Sequence, residues 1–413
     1  MLEKLIRCTA GVPFFPESLY FLSTLGLLAM IALALDAGLA TGAREAASRI
    51  PLLSPLSQLI SPLTILKLWW AVWLPLALLS VFLFSRAWCG LLCPLGAANE
   101  AGSALSGARK IPRALMNPWL PAAAFAGIFF LERSFGMMGI PSLSGAFFLL
   151  ILIGAFATGL VSPRRSFCKF ICPIGFLFGI SARLAPFRLA PIQGKESEVE
   201  RACGKSCPVF LNLGRAASAK DCLLCLRCAK SSPVEARVRL PGSELLEKDF
   251  QPVPSESIFI PLLAGLLIGM FALSPSNYSA LDAVFPLSLP ITTIALGSVN
   301  ALSFFGFILF SAATTLGLAR LAGGPDFLRF NHLHSPLVLS GLLAFAGEGI
   351  LAWLGIPYWG KLALLSLGLV WSALLILAHN ARPGFAATLR AGAPALLYAN
   401  LVFSLLVWAS LQW

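Results

Sequence analysis

Nine of the ten cysteines in this chain fall into two groups whose spacing suits a metal centre, and Cys8 stands alone. The first group contains Cys222, Cys225 and Cys228, each separated from the next by two residues. These short steps let three thiolates hold three corners of a [4Fe–4S] cube, while the fourth ligand often comes from a distant Cys-Pro pair. The spacing therefore predicts an iron–sulfur cluster.

The fourth ligand is predicted to come from upstream. Ser232 stands before Pro233, where a ligand would be expected after Cys228, and a serine is a poor iron ligand. Cys207 precedes Pro208 and is the natural donor instead. One cubane is thus assigned to Cys207, Cys222, Cys225 and Cys228, with Cys203 left as a spare or alternative ligand.

The second group is an internal repeat. Arg86–Gly96 and Arg165–Gly175 both read Arg-x-aromatic-Cys-x3-Cys-Pro-aliphatic-Gly, and they are offset by 79 residues. The repeat indicates a duplicated hairpin unit. Four cysteines, called the duplicated site below, would then form a near-twofold ligand set for a second iron–sulfur centre or another redox role: Cys89, Cys93, Cys168 and Cys172.

Two other interpretations of the cysteines stay open. Zinc could fill a four-cysteine site, although the triple Cys-x2-Cys-x2-Cys run is more typical of iron–sulfur. The duplicated cysteines could instead be small buried thiols with a structural role. Disulfides are disfavoured because the thiols are predicted to face a reducing cytoplasm.

The composition of the chain indicates a membrane protein. Of its 413 residues, 58% are hydrophobic and only 12% are charged, with a mean hydropathy of +0.85. Soluble domains carry about 25% charged residues, so a soluble enzyme, a disulfide scaffold and a disordered chain are excluded. The net charge of +12 fits basic cytoplasmic loops, and no nucleic-acid partner is predicted.

About nine apolar segments are long enough to be candidate spans, and Phe285–Val299 is a further apolar stretch. If the N-terminus lies in the cytoplasm and the chain crosses the membrane nine times, all but five of the 30 Lys and Arg residues lie on the cytoplasmic side. The predicted location is therefore a bacterial inner membrane, with the N-terminus and the polar loop in the cytoplasm. The candidate spans are Leu19–Ala40, Leu66–Ser85, Pro118–Leu131, Gly145–Val161, Ile258–Leu273, Asn300–Leu318, Pro336–Leu354, Lys361–His379 and Ala393–Leu411.

The predicted fold is an all-α polytopic membrane protein with a small cytoplasmic ferredoxin-like insert. The insert is too short for a large hydrophobic core, so a metal would have to stabilise it. Four domains are predicted: 1–65, an N-terminal helix and outer loop; 66–190, the duplicated hairpins; 191–256, the insert; and 257–413, a five-helix membrane domain.

The chain has three histidines, His332, His334 and His379. All three are predicted to lie at helix ends, at the same depth on the cytoplasmic side of the membrane. Imidazoles there could ligate haem b or flank a quinone head group. Ordinary interfacial polarity is the stronger interpretation, and haem is the weakest of the three. Glu348, a carboxyl within an apolar run, is a candidate for a proton relay or for partner docking.

With the duplicated Cys-x3-Cys-Pro motifs and the cytoplasmic cysteine insert, the chain resembles the NapH/NosR-type family of membrane-bound polyferredoxins. The resemblance covers roughly Leu66 to Pro241. It implies membrane electron transfer between the quinone pool or a cytoplasmic donor and a respiratory or maturation partner. Family members commonly carry two complete ferredoxin motifs, whereas this insert has ligands for one.

The leading hypothesis is an electron-transfer subunit of an oxidoreductase system, in which the cofactors carry the chemistry. A thiol- or copper-handling maturation factor is the first alternative, since Cys-x3-Cys pairs could exchange electrons or bind a soft metal. A membrane anchor subunit, whose last five helices dock a catalytic partner, is the second.

Overall fold

The computed structural model describes residues 17–50, 54, 57, 61, 64, 68–107, 110–135, 140–216, 218, 220–230, 232–272, 301–383 and 385–410. Cys8 and Phe285–Val299 lie outside these ranges. The chain divides into two compact units, an N-terminal unit, Met1–Leu240, and a C-terminal unit, Pro241–Trp413. Each is described separately.

The N-terminal unit contains both cysteine groups. A π-helical turn at Leu68–Trp73 precedes α3, and short 3-10 turns lie at Arg113–Met116 and Cys228–Lys230. Its helices and strands are α1 (Glu17–Leu35), α2 (Ala37–Ser48), α3 (Leu74–Phe84), α4 (Ala87–Leu91), α5 (Pro94–Ser106), α6 (Leu120–Phe135), α7 (Pro141–Val161), α8 (Ser166–Phe170), α9 (Pro173–Ala182), β1 (Phe187–Pro191), α10 (Glu196–Ser206) and β2 (Val234–Val238).

The insert is closed at its base by a small antiparallel sheet, which the sequence spacing did not predict. Strand β1 pairs with β2, and Leu189 lies opposite Ala236 in the register. All five insert cysteines fall between these two strands in the chain. The sheet therefore ties together the two ends of the segment that carries them.

Helix α7 is a membrane-type helix with one packed face. It is apolar all round, yet only 28% of its most apolar stretch is buried inside the protein. Leu152, Ala155 and Gly159 face the protein interior, whereas Leu150 and Ile153 are exposed. A helix that is apolar on its outward face is suited to lipid.

The crossing of α5 and α7 depends on glycine. A Cβ built on Gly159 would lie 2.8 Å from the Ser103 nitrogen and closer still to the Asn99 carbonyl oxygen. We expect Gly159→Ala to lower the free energy of unfolding by about 1–3 kcal/mol, because two helix backbones would be forced apart. Thermal unfolding in detergent checks this. Gly154→Ala, on the same helix with no atom within 4 Å of its Cβ, should leave the unfolding midpoint unchanged or slightly higher.

All the regular elements described in the C-terminal unit are helices, with 3-10 turns at Ser243–Leu246 and Gly324–Asp326. Its core contains Leu267, Leu337 and Ile376, all buried. Its helices are α11 (Pro254–Ala272), α12 (Ala301–Gly323), α13 (Phe327–Leu333), α14 (Ser335–Ala346), α15 (Glu348–Trp353), α16 (Pro357–His379) and α17 (Phe385–Ser410).

Among the described residues, four helices are long and apolar enough to cross a membrane: Glu17–Leu35, Pro141–Val161, Pro357–His379 and Phe385–Ala409. Helices also lie within the other five predicted segments, but most of these are shorter or less apolar. The predicted span Pro336–Leu354 is divided at Gly347, where α14 ends and α15 begins. The count of nine spans stays a prediction.

Candidate metal centres

The insert cysteines converge on one cavity. All five of them line one small cavity, which is partly open to solvent and otherwise walled by aliphatic side chains such as Leu189, Leu211 and Leu213. Nine cysteines are described in the structure, and all nine are free thiols. The spare Cys203 lies in the same cavity as the predicted ligands Cys207, Cys222, Cys225 and Cys228.

Backbone amides point at the insert sulfurs. The N–H of Leu211 donates to Cys207 Sγ at 3.3 Å. Further backbone N–H groups donate to the same sulfur and to two others: Val209 to Cys207, Leu224 to Cys222, and Arg227 to Cys225. Such N–H···S bonds stabilise negative charge on sulfur and tune the potential of a cluster.

The turns that orient these amides contain residues other than glycine in the left-handed backbone conformation. Phe210, Leu224 and Leu226 have φ values of 59°, 49° and 58°. Each such residue costs about 1–3 kcal/mol and persists where its surroundings require it. Alternating right- and left-handed residues form concave nests of N–H groups, an arrangement found at iron–sulfur sites. The local backbone therefore fits an anionic cluster.

The four predicted ligand thiols of the insert have raised pKa values and therefore need a cation to ionise. Burial raises the pKa of Cys222 to about 12, so this thiol stays protonated at neutral pH unless a metal displaces its proton. The Cys228 thiol donates to the sulfur of Cys203, which lowers the pKa of Cys203 to about 7 and raises that of Cys228. In the described residues, no three His, Cys, Asp or Glu side chains are arranged as a ready ligand set for a single metal ion.

The duplicated site has reciprocal symmetry. Arg86, in the first copy, donates through Nη2 to the carbonyl of Cys168 at 3.4 Å. Arg165, in the second copy, donates through Nη1 to the carbonyl of Cys89 at 2.9 Å. Each arginine thus binds the first cysteine of the other copy, and both guanidinium groups are buried.

The glycine that ends each motif makes room for the opposing arginine. A Cβ on Gly96 would lie 3.2 Å from Arg165 Nη1, and one on Gly175 would lie 3.1 Å from Arg86 Nη2. These contacts explain why both copies read Cys-Pro-x-Gly. No role was predicted for the repeated arginine and glycine, although both recur at the same offset as the cysteines.

The second cysteine of each motif caps a helix. Cys93 precedes α5 and Cys172 precedes α9, and each helix begins with proline. Cys172 Sγ accepts the N–H of Gly175 at 3.3 Å, and the positive end of a helix dipole favours a thiolate. Burial nevertheless raises the pKa of Cys93 to about 11 and that of Cys172 to about 12, so a bound cation would be needed to hold both thiolates.

Two buried guanidinium donors at the duplicated site have no hydrogen-bond partner in the described structure: Arg165 Nη2 and Arg86 Nε. Leaving a charged donor unsatisfied in a buried site is costly. Four thiolates around an iron–sulfur centre would place negative charge beside both arginines. The donor set and its charge therefore fit the predicted group.

The insert is hydrogen-bonded to both copies of the repeat. Three bonds come from the second copy and the residue before it: Arg165 N–H to Pro208 O at 3.0 Å, Arg164 Nη1 to Cys207 O at 2.8 Å, and Lys169 Nζ to Val209 O at 3.0 Å. From the first copy, Arg86 Nη1 donates to Lys220 O at 3.1 Å. The two cysteine groups are thus held against one another.

A charged network completes this contact. Arg165 Nε donates to Glu100 at 3.0 Å, and Arg227 forms an ion pair with the same carboxylate. Partial burial opposes ionisation of Glu100, but Arg227 and Arg165 together hold its pKa below the ordinary value. The Arg165 guanidinium also lies 4.4 Å from the ring centroid of Tyr20. Glu100 and Tyr20 are functional candidates that the spacing of residues did not indicate.

The histidines of the C-terminal unit have separate surroundings. His334 has Nδ1 2.7 Å from Phe330 O and Nε2 3.0 Å from Ala395 O. His332 lies 4.0 Å from the buried carboxylate of Glu256, and His379 ends α16. Both ring nitrogens of His334 are therefore engaged with backbone carbonyls, and a haem or quinone role for the three residues stays a prediction.

Glu348 pairs with Lys361. The Nζ of Lys361 donates to Glu348 Oε1 at 2.7 Å, and the lysine side chain is buried. The two residues belong to the neighbouring helices α15 and α16. A structural ion pair accounts for a carboxyl within this apolar run.

The duplicated hairpins are similar to a known family of domains. A family of 4Fe-4S binding domains matches residues 66–112 and 144–190, one range for each copy of the repeat. This match confirms the predicted resemblance to membrane-bound polyferredoxins, because both copies of the repeat are similar to 4Fe-4S binding domains.

Three relatives are similar to part of the chain. NirI of Paracoccus denitrificans is 29% identical over 183 residues, covering 38% of this chain and 26% of NirI. YccM of Escherichia coli, provisionally named an electron transport protein, is 23% identical over 181 residues, or 37% of this chain and 50% of YccM. An uncharacterised protein of Methanocaldococcus jannaschii is 24% identical over 158 residues, covering 37% of this chain and 63% of that protein.

The aligned part of the chain spans less than two thirds of each of these relatives. No solved structure matches the chain. The family and the relatives support an iron–sulfur electron-transfer role.

Proposed function

We propose that this protein is a membrane-bound electron carrier with two iron–sulfur centres. The first is a [4Fe–4S] cluster held by Cys207, Cys222, Cys225 and Cys228, and the second is held by Cys89, Cys93, Cys168 and Cys172. The observation that carries the proposal is the insert cavity, where five thiols meet backbone N–H groups aimed at sulfur.

When bound, such clusters supply one-electron chemistry. The protein supplies burial, spacing and charge. Aliphatic side chains wall the insert cavity and limit the access of water to it. Arg86 and Arg165 place two buried positive charges beside the duplicated site, which favours the additional negative charge of a reduced centre.

The proposed route joins the cytoplasm to the membrane. The insert would exchange electrons with a cytoplasmic donor, and the duplicated site would pass them to or from quinone or a respiratory or maturation partner. An inner-membrane location with the insert in the cytoplasm follows from the distribution of basic residues. Burial of the duplicated thiols favours this function over thiol exchange, because buried cysteines react poorly.

Iron and acid-labile sulfide in anaerobically purified protein test the proposal, with EPR spectra before and after dithionite. We expect about eight irons per chain and signals from two reduced centres. About four irons would limit the protein to the insert cluster and leave the duplicated thiols structural. Copper or zinc in place of iron would overturn the electron-carrier function and favour metal handling.

A further inference from the structure

The two copies of the repeat differ at the residue after their first cysteine. The first copy has Gly90 and the second has Lys169 at the equivalent position. Gly90 packs directly against the backbone of the insert: a Cβ there would lie 2.9 Å from the Cys225 nitrogen and overlap the Leu223 carbonyl oxygen. Lys169 instead reaches Val209 O through its long side chain.

This contact brings two predicted ligands from different centres together. Cys89 is bonded to Gly90, and Gly90 meets the nitrogen of Cys225. The contact distance and the backbone bonds on either side of it add up to an upper limit of about 10 Å between the Cα atoms of Cys89 and Cys225. The facing atoms are main-chain atoms, so rotation of a side chain cannot open the gap.

Neighbouring side chains stabilise the contact between Gly90 and the insert. Tyr20 donates its hydroxyl to the carbonyl of Gly90 and is itself 6% exposed. The Arg165 guanidinium lies over the Tyr20 ring and binds the carbonyl of Cys89. Through Glu100, Arg165 is joined to Arg227, next to Cys228 in the insert. The first copy is therefore fixed to the insert at the residues that flank the thiols.

We propose that Gly90 forms the junction through which electrons pass between the two cysteine centres, from the Cys225 side of the insert to the Cys89 side of the repeat. This inference rests on the proposed two-centre function. One electron leaves one centre and enters the other, and no bond forms or breaks. Gly90 acts as a positioning residue: it touches neither thiol, and its lack of a side chain sets the separation between them.

The residue type follows from the geometry. Any side chain at position 90 would push Leu223 and Cys225 away, since the atoms at 2.9 Å or less would have to retreat by roughly 0.5 Å or more. No such constraint applies at Lys169, whose contact with the insert is made by a flexible chain end. The junction therefore lies on the Cys89 side of the duplicated site. At this position the two copies of the repeat are not equivalent.

Gly90→Ala in the full-length, cluster-loaded protein tests the junction. The readout is the EPR line shape of the fully reduced protein, in which two nearby reduced centres broaden one another's signals. In Gly90→Ala we expect unchanged iron content, both signals and narrower lines. A matched variant should retain the broadened lines: Gly154→Ala, where a Cβ meets nothing within 4 Å.

Tyr20→Phe gives a second, milder test should Gly90→Ala fail to fold. Loss of the hydroxyl that binds Gly90 should narrow the lines partly, with iron content intact. Iron for both centres with no mutual broadening in the unmodified protein would overturn the junction alone. So would broadening that survives unchanged in Gly90→Ala. Iron for one centre only would instead refute the two-centre function itself.

Discussion

Replacing Cys207 with serine is expected to remove the insert cluster, and with it about half of the iron. The position of Cys207 is fixed from three sides: its sulfur accepts the N–H groups of Val209 and Leu211, its carbonyl accepts Arg164 Nη1, and the next carbonyl accepts the N–H of Arg165. Without the cluster the insert has little core to stabilise it. Iron analysis and the EPR signal of the reduced insert cluster measure the loss.

Cys203→Ser is the matched control. Cys203 lines the same cavity, but it belongs to α10 and shares a hydrogen bond with Cys228. We expect this variant to retain its iron and its EPR signal. The reverse result, with iron lost in Cys203→Ser and kept in Cys207→Ser, would transfer the fourth ligand to Cys203.

The ligand groups could be predicted from the sequence because their spacing is local. Three cysteines within seven residues can reach one centre whatever surrounds them, and a motif repeated at a fixed offset implies two equivalent hairpins. The structure brings Cys203 and Cys207 to the same cavity as Cys222, Cys225 and Cys228. Apolar stretches likewise predicted the helices, since a membrane span needs about 20 apolar residues.

The contacts between the two groups could not be predicted in this way. Gly90 and Leu223 are distant in the chain, and no periodicity relates them. Tyr20 and Glu100 acquire their partners only when α1, α5 and the insert are packed together. The pairing of Glu348 with Lys361 shows the same limit, because a lone carboxyl in an apolar run reveals nothing about its partner.

The second large effect is expected from Arg165→Gln, which removes a buried positive charge shared by both centres. Arg165 interacts electrostatically with Cys168 of the duplicated site and with Cys225 of the insert. Loss of the charge disfavours the more negative, reduced state. We expect the reduction potentials of both centres to fall by roughly 50–100 mV, as for a unit charge about 7–14 Å away at an effective dielectric constant of about 20. Redox titration followed by EPR measures each centre separately.

Arg86→Gln is the matched variant, and it separates charge from folding. Among the cysteines, Arg86 interacts with Cys89, Cys168 and Cys172, all in the duplicated site. We therefore expect the potential of the duplicated centre to fall by more than that of the insert cluster. Arg113→Ala, at an exposed position, should change neither. Equal shifts of both centres in Arg86→Gln and Arg165→Gln would contradict this assignment, because a general loosening of the fold would not distinguish the two arginines, whereas their positions do.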